Sequence, residues 1–236
     1  MKRILLMVIR NILRVPMLAI QLFWHSANVN RYTEKEHYAF FKKIVGYANR
    51  GGNVQIKAFG TENIPKESGF MLFPNHQGMY DVLALYEVCA LPLSVVTKKE
   101  VKDVPFLKQI FKCMKAFAMD RDDVRQSMKV IIDVSKEVEK GRNYIIFPEG
   151  TRSKNGNQLG EFKAGSFKAA TKAKCPIVPV ALVDSFKPFD TNSIKPVTVQ
   201  VHILKPLLYE DYKDMKSVEI AEEVKNRIQH VITENS

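Results

Sequence analysis

Two largely apolar runs in this chain, residues 69–73 and 143–147, each stop at a proline. The first continues as Phe73-Pro74-Asn75-His76-Gln77-Gly78-Met79-Tyr80-Asp81 and the second as Phe147-Pro148-Glu149-Gly150-Thr151-Arg152-Ser153. A continuous apolar run of this length reads as a buried strand, and proline cannot extend a hydrogen-bonded ladder, so the chain leaves the sheet at both places. Strand ends are where the sites of open α/β sheets form, and two loops of this kind can converge on one face.

The rest of the chain supplies what such strands need. Val54, Ile56 and Ala58 alternate with polar residues as a half-exposed strand, and residues 93–97, 116–119 and 177–183 read as further strands. Val197, Val199, Val201 and Ile203 alternate cleanly as a late one. Helices are expected over 81–90, 104–111, from Asp122 or Asp123 to a stop at Gly141, over 162–174 and over 217–232. The polar residues 155–160 read as a surface loop. The fold class is therefore α/β, a largely parallel or mixed central sheet flanked by helices. At 236 residues with 46% hydrophobic content the chain can build one sizeable core, or one domain and an appendage.

The appendage is residues 1–50. Apolar runs at 4–9 and 15–20 are interrupted by Arg10, Asn11, Arg14 and Pro16, and two arginines near the middle of a membrane span would be costly. A clean cleavable signal is not expected either. The favoured reading is a helical hairpin lying in the membrane interface, with Lys2, Arg3, Arg10 and Arg14 toward anionic head groups and Trp24 at the boundary; the alternative is a helix packed on the protein's own core. A helical rhythm over 33–48 ends at Gly51-Gly52, which divides the chain into this hairpin and a globular domain, 51–236.

His76 and Asp81 are five residues apart, which in one helix would separate them by roughly 140°. They meet only if His76 lies in the loop and Asp81 in the first helical turn, a path Gly78 permits. A carboxylate on one ring nitrogen fixes the tautomer and leaves the other nitrogen as a general base. Taken alone, the pair also fits a loop histidine bonded to a helix cap. As chemistry it is two-thirds of a triad without a serine, so the nucleophile would be a hydroxyl on the substrate. Arg152 follows the second proline turn, and Lys98, Lys99 and Arg121 also stand at predicted strand ends. Together they could hold a phosphate, arginine by paired hydrogen bonds and lysine as a point charge. Glu149 fits three roles: orienting Arg152, binding a substrate hydroxyl, or occupying a turn.

Thirty-six lysines and arginines against 25 acids leave a formal charge of +11, which favours anionic partners. No recognition motif, zinc pattern or interleaved aromatic and basic residues point to nucleic acid. The histidines at 25, 37, 202 and 230 form no ligand cluster with His76, so no metal is expected. Cys89, Cys113 and Cys175 are far apart and read as buried thiols in a reducing, cytoplasmic compartment.

The H-x4-D stretch Asn75-His76 to Asp81 and the block Phe147-Pro148-Glu149-Gly150-Thr151-Arg152-Ser153 together resemble the glycerolipid acyltransferase family. Lys98-Lys99-Glu100 with Val104-Pro105-Phe106 and Met119-Asp120-Arg121 looks like the family's second block, and Ile177-Val178-Pro179-Val180 like its last. Gln77-Gly78 depart from its commonest residues inside the first motif. The resemblance implies that His76, oriented by Asp81, deprotonates the free hydroxyl of a lysophosphatidic acid, which attacks an acyl thioester to give phosphatidic acid. Arg152, Lys98 or Lys99, and Arg121 would hold the acceptor's phosphate, and Asn75, Glu149, Gly150 and Thr151 would position substrate. No cofactor is implied; acyl-CoA or acyl carrier protein serves as co-substrate. The enzyme would sit on the phospholipid surface at the cytoplasmic face of the membrane, monotopic or peripheral. The alternatives are a relative acting on glycerol 3-phosphate or another lysophospholipid and, more remotely, a basic peripheral membrane protein without chemistry.

Overall fold

The structure, a computed structural model, describes residues 2–236. Three helices come first: α1 (Lys2–Arg10), α2 (Val15–Ala27) and α3 (Glu34–Gly51). The α/β part runs β1 (Val54–Phe59), β2 (Met71–Pro74), α4 (Asp81–Val88), β3 (Ser94–Lys98), α5 (Leu107–Met114), β4 (Phe117–Met119), α6 (Val124–Glu139), β5 (Tyr144–Ile145), α7 (Lys168–Ala173) and β6 (Ile177–Val183). It closes with α8 (Lys187–Asp190), β7 (Val197–Ile203), α9 (Tyr209–Tyr212) and α10 (Ser217–Asn235).

The seven strands form one mixed sheet in the order β1-β7-β6-β2-β5-β3-β4. Five neighbours from β6 to β4 are parallel; β7 pairs antiparallel with β6, and β1 parallel with β7. Along β6 the side chains divide by twos. Val178, Val180 and Leu182 face a layer with Tyr38, Phe41 and Val45 of α3 and Leu85 of α4, while Ile177, Ala181 and Val183 face α6, α7 and α10. A sheet covered on both faces explains why its central strands read as unbroken apolar runs.

This order places the site. From β2 the chain crosses by α4 to β3 on one side; from the adjacent β5 it crosses by α7 to β6 on the other. The two connections leave neighbouring strands in opposite directions, and such a reversal opens a crevice at the carboxyl ends of the strands. His76 follows β2, and Glu149 to Arg152 follow β5.

Several local expectations change. Helix α5 begins at Leu107 rather than near 104, because Val104 precedes a proline and Phe106 has φ +67°, outside helical space. Strand β5 is only two residues long, and Asn143, expected inside it, instead gives its side chain to the sheet's entry. Its Oδ1 accepts the Gly69 amide at 2.7 Å and its Nδ2 donates to the Pro92 carbonyl at 2.9 Å.

Of the N-terminal cations expected toward head groups, Arg3 is turned inward, while Lys2, Arg10 and Arg14 stay exposed. Arg3 is buried, with Nε donating to the Pro188 carbonyl at 3.1 Å and Nη2 to that of Lys195 at 2.9 Å. Its Nη1 donates to the Gly52 carbonyl at 2.5 Å. Arg10 donates to Asn53 Oδ1 at 2.5 Å, and the Arg14 guanidinium lies 5.0 Å from the Tyr47 ring centroid. A guanidinium has five donors, and backbone carbonyls of the domain accept those of Arg3 and one of Arg10, so these two arginines clamp α1 to the domain. His25 and His37, Nδ1 to Nδ1 at 3.0 Å, add a tie between α2 and α3.

The exposed surface of α1 and α2 also carries many apolar side chains. Leu5, Ile9, Ile12, Leu13, Ile20, Phe23 and Trp24 are all open to solvent, with Leu13 at 93% and Ile20 at 71%. Among the described residues no single helix is long and apolar enough to cross a membrane; α1 and α2 form a pair bent by 96°.

Candidate active site

Asp81 opens α4, and its side chain is fully buried. Its Oδ2 accepts from His76 Nδ1 at 2.7 Å and from the Gln77 amide at 2.7 Å, and both carboxylate oxygens take the Gly78 amide, at 3.0 and 3.1 Å. The loop thus wraps its first amides around the carboxylate that begins the next helix. An ionised carboxylate only accepts hydrogen bonds, so Nδ1 carries the imidazole hydrogen and Nε2 keeps its lone pair. Nε2 has no hydrogen-bond partner among the described residues, and the side chain remains 18% exposed. His76 is therefore held in the tautomer a general base requires.

The second proline turn surrounds the same histidine. The Phe147 ring stacks on the imidazole with centroids 4.1 Å apart. Glu149 Oε1 accepts the His76 amide at 2.8 Å, and the His76 carbonyl accepts the Ser153 amide at 2.8 Å. The two loops are stitched together on both sides of the base, as their positions after adjacent strands allow.

Of the three roles open to it in the sequence, Glu149 takes the third: it sits inside the turn that the Gly150 amide closes on the Phe147 carbonyl at 3.1 Å. It is buried at 4% exposure, and its other oxygen takes the Gly160 amide at 2.9 Å, so both oxygens are spent on backbone. Burial pushes its carboxyl above the ordinary 4.5, opposed by those two amide bonds. Asn75, expected beside the substrate, is also turned inward. Its Oδ1 accepts the Leu182 amide at 2.7 Å and its Nδ2 donates to the Leu182 carbonyl at 3.0 Å, extending the β2–β6 ladder where Pro74 cannot. Gly150 takes φ +71° at the turn, and Thr151 and Arg152 are exposed.

The cations do not all gather. Arg152 lies one residue from the Ser153 amide that bonds His76. Lys98 ends β3, two strands from β2, and Arg121 follows β4, three strands away. At about 4.8 Å per strand these backbones stand roughly 10 and 14 Å from that of β2. Lys98 pairs with Glu100 at 2.7 Å and Lys99 with Asp120 at 3.0 Å. Arg121 is half-buried; burial lowers its pKa and the Glu100 charge opposes that shift.

Two features were not legible beforehand. Phe147 beneath the imidazole had no signal beyond its place in an apolar run. The loop at 155–160 is also no free surface loop: Asn157 Oδ1 accepts from Gln77 Nε2 at 2.7 Å and from the Asp184 amide at 2.9 Å. Its Nδ2 donates to Asp184 Oδ1 at 3.1 Å, and the Ser185 amide donates to Gln77 Oε1 at 2.7 Å. Gln77 and Asn157 thereby lash the loops after β2, β5 and β6 together. Among the described residues no three His, Cys, Asp or Glu side chains converge as a metal-ligand set.

Known proteins resemble this chain in sequence and in fold. The sequence model of the Acyltransferase family matches residues 55–183, which holds both proline turns. A 1-acyl-sn-glycerol-3-phosphate acyltransferase of Borreliella burgdorferi is 31% identical over 152 residues, 64% of this chain and 60% of that protein. One of Escherichia coli is 30% identical over 161 residues, 68% of this chain and 65% of its own length. Each match thus spans less than two-thirds of the relative. The crystal structure of a 1-acyl-sn-glycerophosphate acyltransferase from Thermotoga maritima superposes with a TM-score of 0.76 at 18% identity, over 100% of this chain and 97% of that one. The fold is thereby shared along the whole chain, and the chain belongs to the Acyltransferase family.

Proposed function

We propose that this protein is a 1-acyl-glycerol-3-phosphate acyltransferase that works at a membrane surface. The observation that carries the reading is the His76–Asp81 contact at 2.7 Å with Nε2 unpartnered at the carboxyl end of the sheet. In this mechanism Nε2 takes the proton of the acceptor's free hydroxyl as its oxygen attacks the thioester carbonyl of acyl-CoA or acyl carrier protein. Asp81 supports the positive charge the ring acquires. The tetrahedral intermediate collapses, the carbon–sulfur bond breaks, and the imidazolium returns the proton to the thiolate. The products are phosphatidic acid and the free thiol, and no enzyme nucleophile is needed. The names of the relatives support this acceptor over glycerol 3-phosphate.

Arg152 would hold the acceptor's phosphate, because it shares the turn that encloses the base. Lys98, Lys99 and Arg121 would have to reach from strands further along the edge. The exposed apolar side chains of α1 and α2 support a seat in the bilayer interface, where a one-chain acceptor resides. Assay of the purified protein in vesicles, against a panel of lysophospholipids, glycerol 3-phosphate and both donors, tests the reading. Acyl transfer to 1-acyl-glycerol 3-phosphate at the highest kcat/KM is the expected result. A clear preference for another acceptor would replace the substrate, and no transfer at all would sink the proposal.

A further inference from the structure

We infer that Lys163, together with Arg152, cradles a substrate phosphate, and that Gly150 is glycine partly to let the lysine lie there. This deepens the acyl-transfer reading and rests on it. The turn after β5 reverses at Gly150, where φ is +71°. A Cβ at that position would stand 3.2 Å from both Cε and Nζ of Lys163 and 3.4 Å from its Cδ. The lysine stem therefore runs along the exposed side of the turn, over Gly150. Its own backbone is fixed there, since the Lys163 amide donates to the Pro148 carbonyl at 2.9 Å. This is the same turn that stacks Phe147 on His76 and carries Arg152.

Charge pairing separates this lysine from those named by sequence. Lys98 and Lys99 each hold an acid at 2.7 and 3.0 Å. Neither Lys163 nor Arg152 has a carboxylate partner or a side-chain hydrogen bond among the described residues. Glu149, in the same turn, spends its oxygens on the amides of His76 and Gly160. Two uncompensated cations on the loop around the base can receive a phosphate without first breaking an ion pair, the arginine by two parallel bonds and the lysine as a point charge. The phosphate could be the acceptor's phosphomonoester or one of the phosphates of coenzyme A.

The test uses the full chain with Lys163→Met, which keeps the stem and removes the charge, and Lys163→Arg, which keeps the charge. Calorimetry with a short-chain lysophosphatidic acid and, separately, with free coenzyme A reads binding without turnover. Binding of one of them should weaken roughly tenfold in Lys163→Met, the low end for a charged hydrogen bond, and recover in Lys163→Arg. Which ligand weakens identifies the phosphate's source. In steady-state assays the KM of that substrate should rise by a similar factor with little change in kcat. Unchanged binding of both ligands in Lys163→Met overturns the inference, as does a loss that Lys163→Arg shares. A wild-type protein that binds either ligand in this way but transfers no acyl group would sink the proposed reaction and leave the cradle standing.

Discussion

Asp81→Asn separates the charge of the dyad from its geometry. One carboxylate oxygen, Oδ2, takes both His76 Nδ1 and the Gln77 amide at 2.7 Å. An asparagine oxygen in its place keeps both bonds and the tautomer, while the new amide group meets the Gly78 amide where Oδ1 now accepts it at 3.1 Å. The folding cost is that one repulsion, about 1–2 kcal/mol. What disappears is the negative charge facing the ring as it becomes an imidazolium. Two unit charges about 4 Å apart at an effective dielectric of about 20 interact by about 4 kcal/mol, which as an upper figure is roughly a thousandfold in rate. Acyl transfer by Asp81→Asn should therefore fall in kcat by roughly a hundredfold to a thousandfold, with the acceptor's KM little changed. Asp81→Ala should differ in kind. It strands three donors around a fully buried position, costing on the order of 3 kcal/mol or more, and should lower the melting temperature clearly. The assay is steady-state kinetics beside thermal melting of both variants. An Asp81→Asn enzyme with wild-type kcat, or one impaired only in KM, would refute the reasoning.

Other consequences can be measured directly. Burial raises the Cys89 thiol and pushes Cys113 up to about 11 and Cys175 up to about 12. A thiol reagent near pH 8 should label none of the three in the native protein and all three after unfolding; rapid native labelling would contradict their burial. Because burial lifts the Glu149 carboxyl above 4.5, the folded state holds that proton more tightly than the unfolded chain. Its contribution to stability is full below the ordinary value and is lost as pH rises through the raised one, so Glu149→Gln should flatten that fall in denaturant titrations across pH. Identical pH slopes for the two proteins would count against this. Leu13→Glu with Ile20→Glu, both at exposed positions, should abolish binding to anionic vesicles while changing stability by about 0.5 kcal/mol or less. Vesicle co-sedimentation equal to wild type would move the membrane seat elsewhere.

Much of this was legible because periodicity and proline report on backbone. The runs before Pro74 and Pro148 are almost wholly apolar because both faces of the sheet are covered, and that pattern identified the two strands and their loops. Gly78 and the spacing of His76 and Asp81 were enough to anticipate the contact between them. What stayed hidden depends on where side chains turn. Asn75 has the same composition signal whether it faces a ligand or, as here, completes a ladder with Leu182. Arg3 read as lipid-facing from charge alone, but the carbonyls of Gly52, Pro188 and Lys195 capture it. Lysines at strand ends look alike in sequence; only the sheet order reveals that β5, not β3 or β4, is the neighbour of β2. Asn157 gave no sign, since its partners Gln77 and Asp184 are 80 and 27 residues away.

The central claim is that His76 removes the acceptor's proton. Its most direct test is the rate of acyl transfer to 1-acyl-glycerol 3-phosphate by His76→Ala. The account predicts a loss of roughly a hundredfold to ten-thousandfold, with the melting temperature and vesicle binding close to wild type. Transfer by a folded, membrane-bound His76→Ala protein within a few-fold of wild type would contradict it.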